Sequence, residues 1–205
     1  MTASYLALGD SYTIGEGVAP DDRWPVQLVS ALRDRGISIE PPVLIAQTGW
    51  TTAEVIDALD ASPTEPGCDF ALVSLLIGVN DQYRGLGSTT FQLNFDRLLS
   101  RAIAHAAGRT DHVLVLSIPD WSVTPFASGD QRSREVIARD IDMFNRQLRL
   151  RALTCGARFI DITACSRRAA DDSALLVSDG LHPSAAMYAQ WAAIVLPEAI
   201  AALDS

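Results

Sequence analysis

Short apolar runs alternate along the chain with longer segments in which apolar positions recur every three or four residues. The runs cover residues 4–9, 43–46, 69–77, 112–118 and 157–161, and each is apolar at both odd and even positions. A strand with one wetted face would alternate apolar with polar; a strand covered on both faces need not. The segments between them have helical period: Trp24, Leu28 and Leu32 fall on one face, as do Phe91, Phe95, Leu98 and Ala102, and then Met187, Trp191 and Ile194. Strand and helix in regular succession predict an α/β chain, a five-stranded parallel sheet of flavodoxin-like type inside a three-layer α/β/α sandwich.

The ends of these elements carry their own signals. Asp22 is placed to cap the first long helix, Pro25 suits its first turn, and Gly36 ends it. Thr51-Thr52-Ala53-Glu54 matches a capping box, so a helix starts directly after Gly49-Trp50. Further helices are expected from about Thr90 to Gly108, over 133–154, and from Pro183 onward, with Pro197 bending or ending the last. Connections are short and no linker interrupts residues 1–205, which predicts a single domain.

In such sheets ligands bind beyond the carboxyl ends of the strands, where strand order reverses. The residues at those ends are therefore the first to read: Gly9-Asp10-Ser11, Thr48-Gly49-Trp50, Gly78-Val79-Asn80-Asp81, Pro119-Asp120-Trp121 and Asp179-Gly180-Leu181-His182. They include the residue types that acyl transfer needs: a hydroxyl nucleophile, a base, an acid to orient that base, and donors for an oxyanion. Of the histidines, His105 lies on a helix and His112 opens a strand, so His182 is the one a loop can present. The spacing Asp179-x-x-His182 lets the carboxylate fold back onto the near imidazole nitrogen, leaving the far nitrogen for Ser11. Taken singly, each has a plainer reading: Ser11 as a turn cap, Gly49 as a tight-turn glycine, Asn80 as an Asx turn, Asp179 and His182 as a capping pair. Asp10 and Asp81 are read as loop hydrogen-bonding residues, and no metal is expected, because no metal-ligand spacing is present.

Composition narrows the field. The net charge is −9, which disfavours nucleic acid as a partner, and the arginines at Arg146, Arg149 and Arg151 read as a solvated helix face. There is no lysine, which excludes Schiff-base chemistry and a P-loop. Cys68, Cys155 and Cys165 are too few and wrongly spaced for a disulfide framework or zinc site, and are expected to be buried thiols. No run is expected to span a membrane and no leader pattern is visible, so a cytoplasmic protein is the expectation.

The blocks Gly9-Asp10-Ser11-Tyr12, Gly49, Gly78-Val79-Asn80-Asp81 and Asp179-Gly180-Leu181-His182-Pro183, in this order, resemble those of the SGNH hydrolases, also called GDSL esterases and lipases. The resemblance spans residues 9–183. It implies the SGNH hydrolase fold, Ser11 as nucleophile, His182 as base and Asp179 as its orienting acid. It further implies an oxyanion hole made by the backbone amides of Ser11 and Gly49 and the Asn80 side chain, with no cofactor. Tyr12 departs from the family's leucine, and the Gly-x-Ser-x-Gly elbow of ordinary α/β-hydrolases is absent.

The resulting expectation is a serine esterase acting on small-molecule carboxylic esters, of short-chain acyl or acetyl type. Trp50, Tyr83, Trp121 and Phe126 are candidate pocket walls, with the connections at about 81–89 and 119–132 as rims. Lysophospholipase, thioesterase or acyltransferase activity would use the same site. A reading of another class is a non-catalytic flavodoxin-like binding module, against which the first strand-end loop lacks both a dinucleotide glycine pattern and a run of phosphate-binding hydroxyls.

Overall fold

In the computed structural model, residues 2–61 and 69–205 are described. Five parallel strands form one sheet in the order β2-β1-β3-β4-β5: β1 (Tyr5–Gly9), β2 (Val43–Ala46), β3 (Leu72–Leu76), β4 (Val113–Leu116) and β5 (Arg158–Ile160). The helices are α1 (Ser11–Ile14), α2 (Trp24–Asp34), α3 (Thr52–Ala61), α4 (Val79–Tyr83), α5 (Ser88–His105), α6 (Arg134–Thr154), α7 (Thr163–Ser166) and α8 (Ala185–Leu203). Helices α2 and α8 pack together on one side of the sheet, and α3, α5 and α6 cover the other, giving the SGNH hydrolase fold.

The three inner strands β1, β3 and β4 are wholly buried, as their unbroken apolar runs require. The edge strands are not. In β2 no residue is fully buried and Val43 is exposed, because one edge of that strand has no neighbour. The chain winds outward from β1 in both directions, so strand order reverses there. The carboxyl ends of β1 and β3 then lie side by side, and they carry Ser11 and Asn80.

Several element ends depart from expectation for local reasons. Asp22 does not cap α2: it closes a short turn, Pro20–Asp22, that Pro20 initiates, and Arg23 takes the cap position without a side-chain bond. The capping box of α3 is present but lopsided. Glu54 accepts from the amide of Thr51 at 2.7 Å and from its hydroxyl at 2.8 Å, while the return bond to the Glu54 amide is long at 3.5 Å. Helix α8 starts at Ala185 and is not ended by Pro197; it runs on to Leu203. The carbonyl that loses its partner at Pro197 is that of Ala193, on the exposed side, where water can replace the missing N–H. Ile194 lies on that side too and is exposed, not inward as its register with Trp191 predicts.

Helix α8, 19 residues with a mean hydropathy of 1.4, is long and apolar enough to cross a membrane by length and composition. It instead packs Met187, Tyr188, Trp191, Val195 and Ala199 into the core against α2 and the sheet. The cysteines are not all buried: Cys155, just past α6, is exposed and Cys165 is half-buried. The reading of Cys68 falls outside the described residues.

Candidate active site

The first turn after β1 depends on Gly9. A Cβ there would collide with Thr13 Oγ1 and lie 2.5 Å from the Leu76 carbonyl oxygen of the neighbouring strand, so only glycine lets α1 fold back over the end of β1. Asp10 caps α1, its Oδ1 accepting from the Tyr12 amide at 3.0 Å, and Gly15 ends it with φ +71°. Ser11 is thereby held at the start of a single helical turn, its side chain facing the crevice. Burial pushes the carboxyl of Asp10 up to about 8, against the pull of the Tyr12 amide.

From the far end of the chain the loop before α8 brings His182 to this serine. His182 Nε2 lies 2.9 Å from Ser11 Oγ, and His182 Nδ1 lies 2.6 Å from Asp179 Oδ2. The other Asp179 oxygen accepts from the amides of Leu181 at 2.8 Å and His182 at 3.0 Å. Partial burial acts to raise the Asp179 carboxyl. The bonds from the His182 ring and from the two amides outweigh it and hold the group below the usual carboxylate range. Ser11 and His182 are buried, while the Asp179 side chain remains 42% exposed. Tyr12 packs against the imidazole with ring centroids 5.5 Å apart and against Trp191 at 6.1 Å. The departure from the family's leucine thus supplies a side wall for the histidine.

The third side of the site is a loop tied to α4 at three points. Asn80 Nδ2 donates to the Trp50 carbonyl at 2.9 Å, leaving its second N–H free of that bond. Asp81 Oδ1 accepts from the Thr52 hydroxyl and Oδ2 from the Thr52 amide, which accords with a loop hydrogen-bonding role. Arg84 donates to the Gly49 carbonyl and to both carboxylate oxygens of Glu54. Gly49 has φ +83° and Gly78, which leads into α4, has φ +117°. Both values favour glycine, and at Gly78 a Cβ would also press on Phe91 at 2.9 Å. Among the described residues, the backbone amides of Ser11 and Gly49 donate to no other backbone group.

Together these elements enclose a pocket of about 200 Å³ beside Ser11. Thr48, Gly49 and Asn80 form its polar side; Val79, Tyr83, Trp121, Phe126 and Leu181 form its apolar side. Three of the four candidate wall residues are therefore at the pocket. Trp50 is not: the turn at Gly49 directs its side chain against the core, and only its carbonyl meets the site, through Asn80. Thr48, Val79 and Leu181 also line the pocket; all three fall within the strand-end segments read from the sequence, though none was given a role there. The indole N–H of Trp121 is fixed by Gln82 Oε1 at 2.9 Å. Among the described residues no group of three or more His, Cys, Asp or Glu side chains is arranged to hold a metal ion.

The arrangement is a hydroxyl, an imidazole and a carboxylate bonded in series at the mouth of a pocket, with N–H groups on the opposite side. Solved structures share the fold. The crystal structure of TesA superposes with a TM-score of 0.74, at 24% identity, covering 98% of this chain and 99% of that one. Axe2, an acetylxylan esterase from Geobacillus stearothermophilus, gives 0.68 at 17% identity, covering 96% and 94%. The psychrotrophic esterase EstA from Pseudoalteromonas sp., inhibited by monoethylphosphonate, gives 0.69 at 19% identity, covering 98% and 97%. No relative is found among curated proteins by sequence. The model of the GDSL-like lipase/acylhydrolase family matches residues 7–190, most of the chain, and the protein belongs to that family of ester hydrolases.

Proposed function

We propose that the protein is a serine esterase that cleaves short-chain carboxylic esters through an acyl-Ser11 intermediate. The observation that carries this reading is the unbroken relay from Ser11 Oγ through His182 to Asp179, with bonds of 2.9 and 2.6 Å. In the first half-reaction Ser11 Oγ attacks the acyl carbon as its proton passes to His182 Nε2. The oxyanion is met by the amides of Ser11 and Gly49 and by the free N–H of Asn80. His182 returns the proton to the departing alkoxide, which leaves as the alcohol. In the second half water attacks the acyl-serine, gives its proton to His182, and the carboxylic acid is released with Ser11 restored. Asp179 keeps the ring in the tautomer that offers Nε2 to the serine and stabilises the imidazolium that forms.

A small, largely apolar pocket favours acetyl to butyryl groups over long chains. The test is turnover of chromogenic acetyl and butyryl esters with labelling by a fluorophosphonate. The wild type should react with both, and Ser11→Ala should lose labelling and at least roughly 10³-fold in kcat. Retained turnover in Ser11→Ala would remove the serine from its role.

A further inference from the structure

Tyr83 and Phe126 face two cavities at once. On one side is the pocket at Ser11, about 200 Å³; on the other is an open cleft of about 700 Å³ whose remaining walls are Gly129, Asp130, Gln131 and Arg132. The two rings, with centroids 6.1 Å apart, are thus the partition between a small reactive pocket and a larger space. Tyr83 is 45% exposed and Phe126 41%, so burial alone does not fix them.

Arg132 does. Its guanidinium lies 5.8 Å from the Tyr83 ring centroid and 5.4 Å from that of Trp121, within cation–π range of both. Nε and Nη2 donate to the Asp130 carboxylate at 2.9 Å each, Nη1 to the Gln82 carbonyl at 3.3 Å, and Nη2 to the Tyr83 carbonyl at 3.4 Å. Four of the five N–H groups of the fork are therefore engaged within the protein. So committed a side chain is a buttress between the 119–132 connection and α4, not a hand for substrate. A lysine offers neither the planar stack nor the fork.

We propose that Arg132 is a specificity-determining, positioning residue: it holds the Tyr83–Phe126 partition shut and so limits the acyl group at Ser11 to a short chain. The cleft beyond the partition is the space a longer chain enters once the buttress is gone. This inference rests on the esterase reading above.

The experiment is kcat/KM for a nitrophenyl ester series from acetyl to octanoyl, with wild type, Arg132→Ala, Arg132→Lys and Phe126→Ala, each checked for its thermal midpoint. The ratio of octanoyl to acetyl should rise about tenfold or more in Arg132→Ala and by a similar factor in Phe126→Ala, which removes the partition directly. Arg132→Lys should shift the ratio in the same direction, and it carries the test if the alanine variant does not fold. A merely structural role would lower all chain lengths in proportion. That result, or an unchanged ratio in the arginine variants while Phe126→Ala shifts it, overturns the assignment of Arg132. A wild type inactive on every ester overturns the esterase reading itself, and this inference with it.

Discussion

Asp81 grips Thr52 with both carboxylate oxygens, at 2.6 Å to the hydroxyl and 3.0 Å to the backbone amide. The pair is buried and joins α4, where Asn80 stands, to the start of α3, just beyond Gly49. Two strand-end loops that are distant in sequence are held at one separation by this bond. Replacing Asp81 by Ala strands the amide and hydroxyl of Thr52, which should cost about 1–3 kcal/mol for each buried group left unpaired. Urea unfolding of Asp81→Ala, Thr52→Val and the double variant checks this; the effects should be clearly non-additive, and strict additivity would mean the two do not act as a pair.

Asn80 is expected to act on turnover and not on folding alone. Asn80→Ala should lower kcat by roughly 10²–10³, the range for one lost oxyanion donor, with a smaller change in KM. Because its amide also braces the Trp50 carbonyl, the thermal midpoint must be measured beside the kinetics. A variant with normal turnover would assign Asn80 to bracing only.

Asp179→Asn keeps the shape of the side chain but removes the charge that fixes the His182 ring. A loss on the order of 10²–10⁴ in kcat is expected, with little change in stability. Steady-state kinetics beside a thermal melt will show whether the two separate.

Asp10 sets a pH dependence of stability. Its carboxyl ionises near the ordinary value of 3.8 when unfolded but at about 8 in the fold, because burial disfavours the charge. The protonated side chain therefore contributes stability that is full below about pH 4 and is lost as pH rises toward 8. Asp179 has the opposite sign: its lowered value supports the fold above the ordinary carboxylate range and is lost on acidification below it. Since Asp179 is 42% exposed, solvent screens much of that contribution. Urea midpoints should fall between pH 5 and pH 8 in the wild type and fall less in Asp10→Asn, which keeps the acceptor for the Tyr12 amide. Equal slopes in both proteins would place the titration elsewhere.

The layered architecture was legible because β1, β3 and β4 are covered on both faces, which forces continuous apolar runs that no helix of amphipathic period produces. Strand lengths were less so: the run at 69–77 predicts a strand longer than Leu72–Leu76, since apolar residues continue into buried loops. The helices α1, α4 and α7 were invisible as helices, being four or five residues long and too short to show a period. Ser11, Asn80, Asp179 and His182 stood out by type at strand ends. Trp50 did not behave as its position suggests, because strand-end placement does not say which way a side chain leaves a turn with φ +83° at the preceding glycine. Arg132 carried no signal at all: its ring partners Tyr83 and Trp121 are read from the fold, not from any spacing.

The serine and its imidazole partner stand 171 positions apart in the chain. A ribosome therefore adds Ser11 before β2 is made and His182 only after all five strands of the sheet. Until then the Ser11 hydroxyl has no imidazole beside it. The Ser11–His182 bond forms only when α8 docks beside α2 and carries the loop before it onto the end of β1. On the proposed acyl-Ser11 reading, fluorophosphonate labelling of this protein would thus report completed tertiary assembly, since a chain halted before residue 182 has the serine without its imidazole.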